Sequence, residues 1–240
     1  MTSHLGNGEP VCPHCSGQLT KMPARKVKCR YCGNDIYVRT RPTDRVRVLV
    51  TAADAVRIEE EWNWRPPTPR PKRPPAEEFR KEAATLAARF GRAPSDVDVC
   101  WSLANKQLLL HAGRSDWGLY RNVRFDMAEL LRCEEKNRQA LDVYLEVSYL
   151  DANGPRNMGG VDDCDLIKDF PPFSSKLALQ APFVIEVIAK LARLLAIGDS
   201  DIESVFLLVA SSFRKHINVP VAPRAAWECL RDELAKIRVA

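Results

Sequence analysis

Two Cys-x-x-Cys pairs, Cys12/Cys15 and Cys29/Cys32, lie 13 residues apart in VCPHCSGQLTKMPARKVKCRYCG, and no other stretch restricts the local fold as tightly. Each pair fits a short turn in which two thiolates reach one ion from the same side. Two such turns joined by a hairpin complete the tetrahedral sulfur shell that Zn²⁺ prefers. Gly17 and Gly33 follow the pairs, where a knuckle turn needs a residue that tolerates positive φ. Gln18–Met22 and residues 25–28 alternate apolar and polar as two short strands would, and Ile36-Tyr37-Val38 supplies a third.

Competing uses of four cysteines fit less well. Two disulfides require an oxidising compartment, and residues 1–11 lack the apolar stretch of a secretory leader. A redox Cys-x-x-Cys needs a βαβ setting rather than a glycine-punctuated hairpin. His14 lies inside the first knuckle, and with four thiolates at hand it reads as an exposed turn residue. Cys12, Cys15, Cys29 and Cys32 are therefore the expected ligands of one Zn²⁺. The metal is structural, since four protein ligands leave no position open for water or substrate. Cys100, Cys133, Cys164 and Cys229 are scattered singly and read as small apolar residues in a reducing cytosol.

Charge divides unevenly along the chain. Residues 1–75 carry 14 Lys and Arg against 7 Asp and Glu, whereas 76–240 carry 22 against 24. The basic excess gathers on or beside the ribbon strands, at Lys21, Arg25, Lys26, Lys28, Arg30, Arg39 and Arg41, which makes these the candidate nucleic-acid contacts, for DNA or RNA. The most apolar run, Val184 to Ile197, is interrupted by Glu186, Lys190 and Arg193 and is too short to span a bilayer. The expected location is the cytoplasm, with no membrane partner.

The organisation that follows is mainly α. Residues 1–41 form the ribbon with a loose N-terminal arm over 1–10. Residues 42–75 form a connector, with a possible strand at Arg45–Val50, a short helix from Thr51 to about Trp62, and RPPTPRPKRPP at 65–75. Six prolines and four basic residues there predict a stiff extended spacer, in preference to a strap on nucleic acid or a ligand for a proline-binding groove. Residues 76–240 form a helical domain of six or seven helices: 76–90 ended by Gly91, 95–111 opened by a Ser95/Asp98 capping box, 117–134 introduced by Ser115-Asp116, 138–151, 182–197, one opened by a Ser200/Glu203 box, and one from Pro223. A loop from Asn153 to Pro172 holds no element.

The segment Cys12-Pro13-His14-Cys15 with Val27-Lys28-Cys29-Arg30-Tyr31-Cys32-Gly33 and Ile36-Tyr37-Val38 resembles the zinc-ribbon modules of uncharacterised bacterial and phage proteins. That resemblance covers about 30 residues and implies zinc binding. Such ribbons occur in nucleic-acid-binding proteins and as protein-docking modules. MAELLRCEEKNRQALDVYLEVSYLDANGP, with Ala128, Leu131, Ala140, Tyr144 and Pro155, resembles a single tetratricopeptide helix pair, without a second copy at a period of 34.

No phosphate-binding loop, dinucleotide fingerprint, zinc-protease motif or nucleophile elbow occurs. Asp162-Asp163-Cys164-Asp165 is the one acidic cluster suited to a hard cation, and it reads as a solvated loop. Trp117, Tyr120, Arg121 and Arg124 share a helical face; the aromatics are expected to pack inward and the arginines to reach solvent. The expected protein is non-enzymatic, binding nucleic acid through the ribbon and a protein partner through its helices. A protein adaptor and a divalent-metal enzyme on 162–165 are the alternatives, and no small-molecule substrate is evident.

Overall fold

Alternation along two strands sorts the N-terminal residues into two thin cores on opposite faces of one sheet. In the computed structural model, which describes residues 5–42, 44–64 and 66–239, the sheet is antiparallel with strand order β1 (Val27–Lys28), β2 (Asp35–Thr40), β3 (Arg47–Val50). Register places Val38 opposite Leu49 and Tyr37 opposite Val50. Ile36, Val38 and Leu49 face the knuckles, with Cys12, Cys29, Leu19 and Met22. The alternate residues Tyr37, Val48 and Val50 face helix α1 (Ala52–Trp64), meeting Ala55, Ile58 and Trp62. Trp62 also donates its indole N–H to the Thr40 carbonyl at 2.7 Å. Thr51 opens α1 as expected, accepting the Asp54 N–H at 3.2 Å.

Three expectations for this part change. Gln18–Met22 is not a strand: Gln18 makes a single bridge to Val11, and Pro23, lacking an N–H, cannot continue a ladder. Residues 5–10 are pinned rather than loose, since Asn7 exchanges hydrogen bonds of 3.1 and 2.9 Å with Leu49 and the Pro10 carbonyl accepts the Leu19 N–H at 2.7 Å. The first knuckle places its positive φ on Ser16 (57°), not Gly17, whereas Gly33 takes φ 72° as expected. Gly17 is required for space: a methyl there would stand 2.5 Å from the Tyr31 ring. Residues 1–4 of the expected arm, and Arg65 of the proline-rich segment, lie outside the described residues.

The chain divides into two units at residues 65/66, so β3 and α1 belong with the ribbon and the prolines with the helices. In the second unit α2 (Ala76–Phe90), α3 (Asp96–Gly113), α4 (Trp117–Cys133) and α5 (Asn137–Asn153) follow one another as neighbours, and α7 (Pro182–Leu194), α8 (Asp199–His216) and α9 (Pro223–Val239) surround α5. The Ser95/Asp98 capping box and the left-handed Gly91 cap are both present. The Ser200/Glu203 box is not. Gly198 caps α8 instead, its carbonyl receiving the Asp201 and Ile202 N–H groups, so Ser200 falls inside the first turn. Nor does Asp116 cap α4 with its side chain; that buried carboxylate accepts the Gly159 N–H at 2.5 Å and ties the loop after α5 to the start of α4. The loop also holds an extra helix, α6 (Cys164–Asp169), capped by Asp163, which brings the described helices beyond Pro75 to eight rather than six or seven.

Helix α5 is the hub: Tyr144, Leu145, Val147, Tyr149 and Leu150 have no exposed surface. Two of its carboxylates, Glu146 and Asp151, are paired with α4. Arg121 makes a two-pronged contact with Asp151, 2.7 Å at each nitrogen, and Arg124 pairs with Glu146. These arginines therefore do not reach solvent as expected, although Trp117 does pack inward against Phe173. Deepest is a triad in which Glu129 accepts from Arg132 at 2.8 Å and from the Tyr144 hydroxyl. Burial pushes the Tyr144 phenol up, an effect reinforced by the carboxylate of Glu129, so the hydroxyl keeps its proton and donates it.

The proline-rich segment is not a free spacer. Prolines fix φ at most of its positions and bias the residue before each towards extended backbone. That backbone lies along α4: the Arg70 N–H meets Glu129 at 2.5 Å, the Lys72 N–H meets Asp126 at 3.3 Å, and Arg132 reaches the Pro67 carbonyl. Replacing one member of the triad strands a buried charge, so Arg132→Met or Glu129→Leu is expected to lower unfolding free energy by about 3–5 kcal/mol. The double variant should cost much less than the sum of the two. Urea denaturation of both singles and the double measures this coupling.

Candidate metal centre

The two knuckles are built alike, 17 residues apart. The Cys12 carbonyl accepts the Ser16 N–H and the Cys29 carbonyl accepts the Gly33 N–H, each at 2.9 Å. Cys12 N–H donates to Gly17 and Cys29 N–H to Asn34, again at 2.9 Å. In each turn the N–H two residues on, from His14 or Tyr31, points at the first cysteine's sulfur at 3.4 Å. The turn thus aims backbone dipoles at the sulfur and stabilises its anionic form.

All four Sγ atoms lie within 4.8 Å of one another, and the Cys12–Cys32 and Cys15–Cys29 pairs across the knuckles stand 3.8 Å apart. An ion bound to four sulfurs at ~2.3 Å sets tetrahedral edges of about 3.8 Å, so the group is spaced to hold a metal ion. Cys12 and Cys29 are buried beneath the sheet, and Cys15 and Cys32 are exposed. Backbone N–H groups of Cys32 and Tyr31 bring the Cys29 thiol down to about 6. Cys15 accepts the Gly17 N–H, which favours its thiolate, yet local desolvation of its sulfur and the three other cysteines push it up to about 12. Four thiolates at this spacing need a cation among them.

The sequence-derived cationic residues separate into two groups. Lys26 pairs with Asp35 at 2.8 Å, Arg39 with Glu59 at 2.6 Å and Arg41 with Asp44 at 2.7 Å. The Asp35 hydrogen bond raises Lys26 above the usual lysine range, and Lys26 in turn lowers Asp35. These three cations have carboxylates of their own. Lys21, Arg25 and Lys28 are exposed and form no ion pair within 4.0 Å among the described residues. Arg30 lies over the exposed Tyr31 ring at 4.7 Å. His14 is exposed, its Nε2 3.1 Å from the Asp35 carbonyl and outside the sulfur group.

In the acidic cluster at 162–165, two of the three carboxylates have partners. Asp163 caps α6 through the Asp165 and Leu166 N–H groups, and Asp165 pairs with Lys168 at 3.1 Å. Among the described residues the four cysteines are the only group of three or more ligating side chains close enough to hold an ion. The docking of 66–75 on α4 was missed from sequence, although its alternation of prolines with Arg70 and Lys72 leaves only a few N–H groups, and α4 takes two of them. Comparison with protein-family models, with curated proteins and with solved structures finds no match to this chain.

Protons compete with the metal for sulfur, so acidification is expected to release the ion, the more readily as pH falls through the depressed range of Cys29. Cys12→Ser or Cys29→Ser should lose the metal and unfold residues 11–40. The second unit has a separate core and should keep its helices. Native mass spectrometry reads the first outcome, and circular dichroism with and without chelator the second.

Proposed function

We propose that the chain is a non-enzymatic zinc-ribbon protein that binds nucleic acid through the face carrying Lys21, Arg25 and Lys28. Tetrahedral sulfur groups take Zn²⁺ or iron, and four protein ligands with no open position suit a structural Zn²⁺. Its thiolates require a reducing compartment, in keeping with a cytoplasmic protein. Elemental analysis separates zinc from iron, and a coloured, iron-loaded protein would overturn this choice.

One observation carries the nucleic-acid reading. Residues 10–34, spanning both knuckles, contain five Lys and Arg and no Asp or Glu. Lys21, Arg25 and Lys28 there form no ion pair within 4.0 Å among the described residues, although Lys28 stands across the ladder from Asp35, and Tyr31, 57% exposed, stands beside them in sequence with Arg30 across its ring. Unpaired cations beside an exposed aromatic suit a single strand, whose phosphates and bases need both. Lys26, Arg39 and Arg41 contribute to the field while remaining in their own ion pairs.

A protein partner on the helical unit is the second half of the proposal, supported by Leu166 of α6 and Phe170 just after it, which are exposed and line a cavity of about 490 Å³ with Met158 and Val161. Binding of an unstructured oligonucleotide should weaken steeply with salt. Lys21→Ala/Arg25→Ala/Lys28→Ala should reduce the slope of log Kd against log salt by about 2, at ~0.7 per phosphate contact. Binding absent at low salt, or unchanged at ~0.5 M salt, would sink the nucleic-acid reading. Partners that stay bound after nuclease treatment would instead favour a protein adaptor.

A further inference from the structure

We infer that the docked proline-rich segment is a second nucleic-acid contact, a fixed group of cations formed by Arg70, Lys72 and Arg73 on the helical unit. The inference rests on the nucleic-acid reading and adds a site outside the ribbon.

The argument begins with which atoms hold the segment down. Arg70 and Lys72 are attached to α4 through backbone N–H groups, to Glu129 and Asp126. The other anchor is the Pro67 carbonyl, bonded by Arg132. None of these contacts uses a basic side chain of the segment. Arg70, Lys72 and Arg73 are exposed and form no ion pair within 4.0 Å among the described residues, although Lys72 lies near Asp126, whose carboxyl is pushed up by burial against the opposing effect of Lys72. Of the neighbouring carboxylates, Glu129 is taken by Arg132, Tyr144 and the Arg70 N–H, while Asp126 and Glu78 line a cavity with Lys72 and Arg73 without forming an ion pair within 4.0 Å.

Backbone rigidity fixes the spacing of the charges. Extended polyproline backbone repeats every three residues and rises ~3.1 Å per residue, which sets Arg70 and Arg73 on the same side about 9 Å apart and turns Lys72 to a neighbouring side. Pro71, Pro74 and Pro75 restrict the chain around them, so little backbone entropy remains to be lost when a strand binds. Charge distribution points the same way. Residues 76–240 carry 22 Lys and Arg against 24 Asp and Glu, while 66–75 carry three basic residues and no acid. The segment therefore carries a local excess of cations within a unit whose remainder is slightly acidic.

The chosen probe is a fluorescent oligo-dT, titrated with full-length zinc-loaded protein across a salt series. Arg70→Ala/Lys72→Ala/Arg73→Ala keeps both anchoring N–H groups, so the far-ultraviolet spectrum and the metal content should match the parent protein. This triple is expected to reduce the salt slope by about 2, at ~0.7 per phosphate contact, with weaker binding at low salt. Combining it with Lys21→Ala/Arg25→Ala/Lys28→Ala should reduce the slope further. If the ribbon triple alone lowers the slope and the strap triple behaves as the parent, the inference is overturned while the nucleic-acid reading stands. If the parent itself fails to bind oligo-dT, both fall. Poly-glutamate that binds as tightly as oligo-dT, in a strap-dependent way, would also overturn it in favour of an acidic protein partner.

Discussion

Charge buried between α4 and α5 is the constraint on which the helical unit depends. An arginine or carboxylate taken out of water is tolerable only when its partner and its remaining hydrogen bonds are in place. Here Arg121 meets Asp151, Arg124 meets Glu146, and Arg132 meets Glu129 and Tyr144, all in or around the interface that supports the hub helix. Such pairs add little net stability over apolar packing, but removing one partner leaves the other buried and uncompensated. Gly154 closes α5 with φ 59°, where a side chain would run into the Ser174 carbonyl, and the helix ends there for steric as well as conformational reasons.

The same constraint explains why the prolines are docked. Glu129 is buried, and Arg132 with Tyr144 engages only one of its oxygens; the other receives the Arg70 N–H. Arg132 likewise has a nitrogen to spare for the Pro67 carbonyl. The segment therefore completes a hydrogen-bond set that the helices leave unfinished. In the N-terminal unit the analogous deficit is larger, because β1 to β3 and α1 bury only two thin clusters. Four sulfurs spaced to hold a metal ion stand in the place of a core that so few residues cannot supply.

Sequence made some of this legible and hid the rest for physical reasons. Cys12, Cys15, Cys29 and Cys32 were readable because ligand spacing is local, and so were the helix start at Ser95 and the stop at Gly91. Local chemistry failed where a distant partner decided. Ser200 has the right residue three positions on, yet Gly198 begins α8. Asp116 sits where a cap belongs and bonds Gly159 instead. Arg121 and Arg124 looked like solvent-facing residues because nothing near them in sequence announces Asp151 and Glu146. Helix α6 is six residues long, too short for periodicity to register.

Both units treat anions in one way, and this links fold to function. In the knuckles, sulfur is met by the His14 and Tyr31 N–H groups; on α4, Glu129 and Asp126 are met by the Arg70 and Lys72 N–H groups. Each time, a backbone donor takes an acceptor that neighbouring Lys or Arg side chains would otherwise claim. A carboxylate or thiolate satisfied by the backbone no longer holds those side chains to the surface, and they remain available to an external anion. Lys26, Arg39 and Arg41 illustrate the opposite arrangement, since each finds a carboxylate side chain and is held by it. Cations left over by backbone satisfaction, rather than total positive charge, mark where a phosphate backbone would meet least competition on this protein.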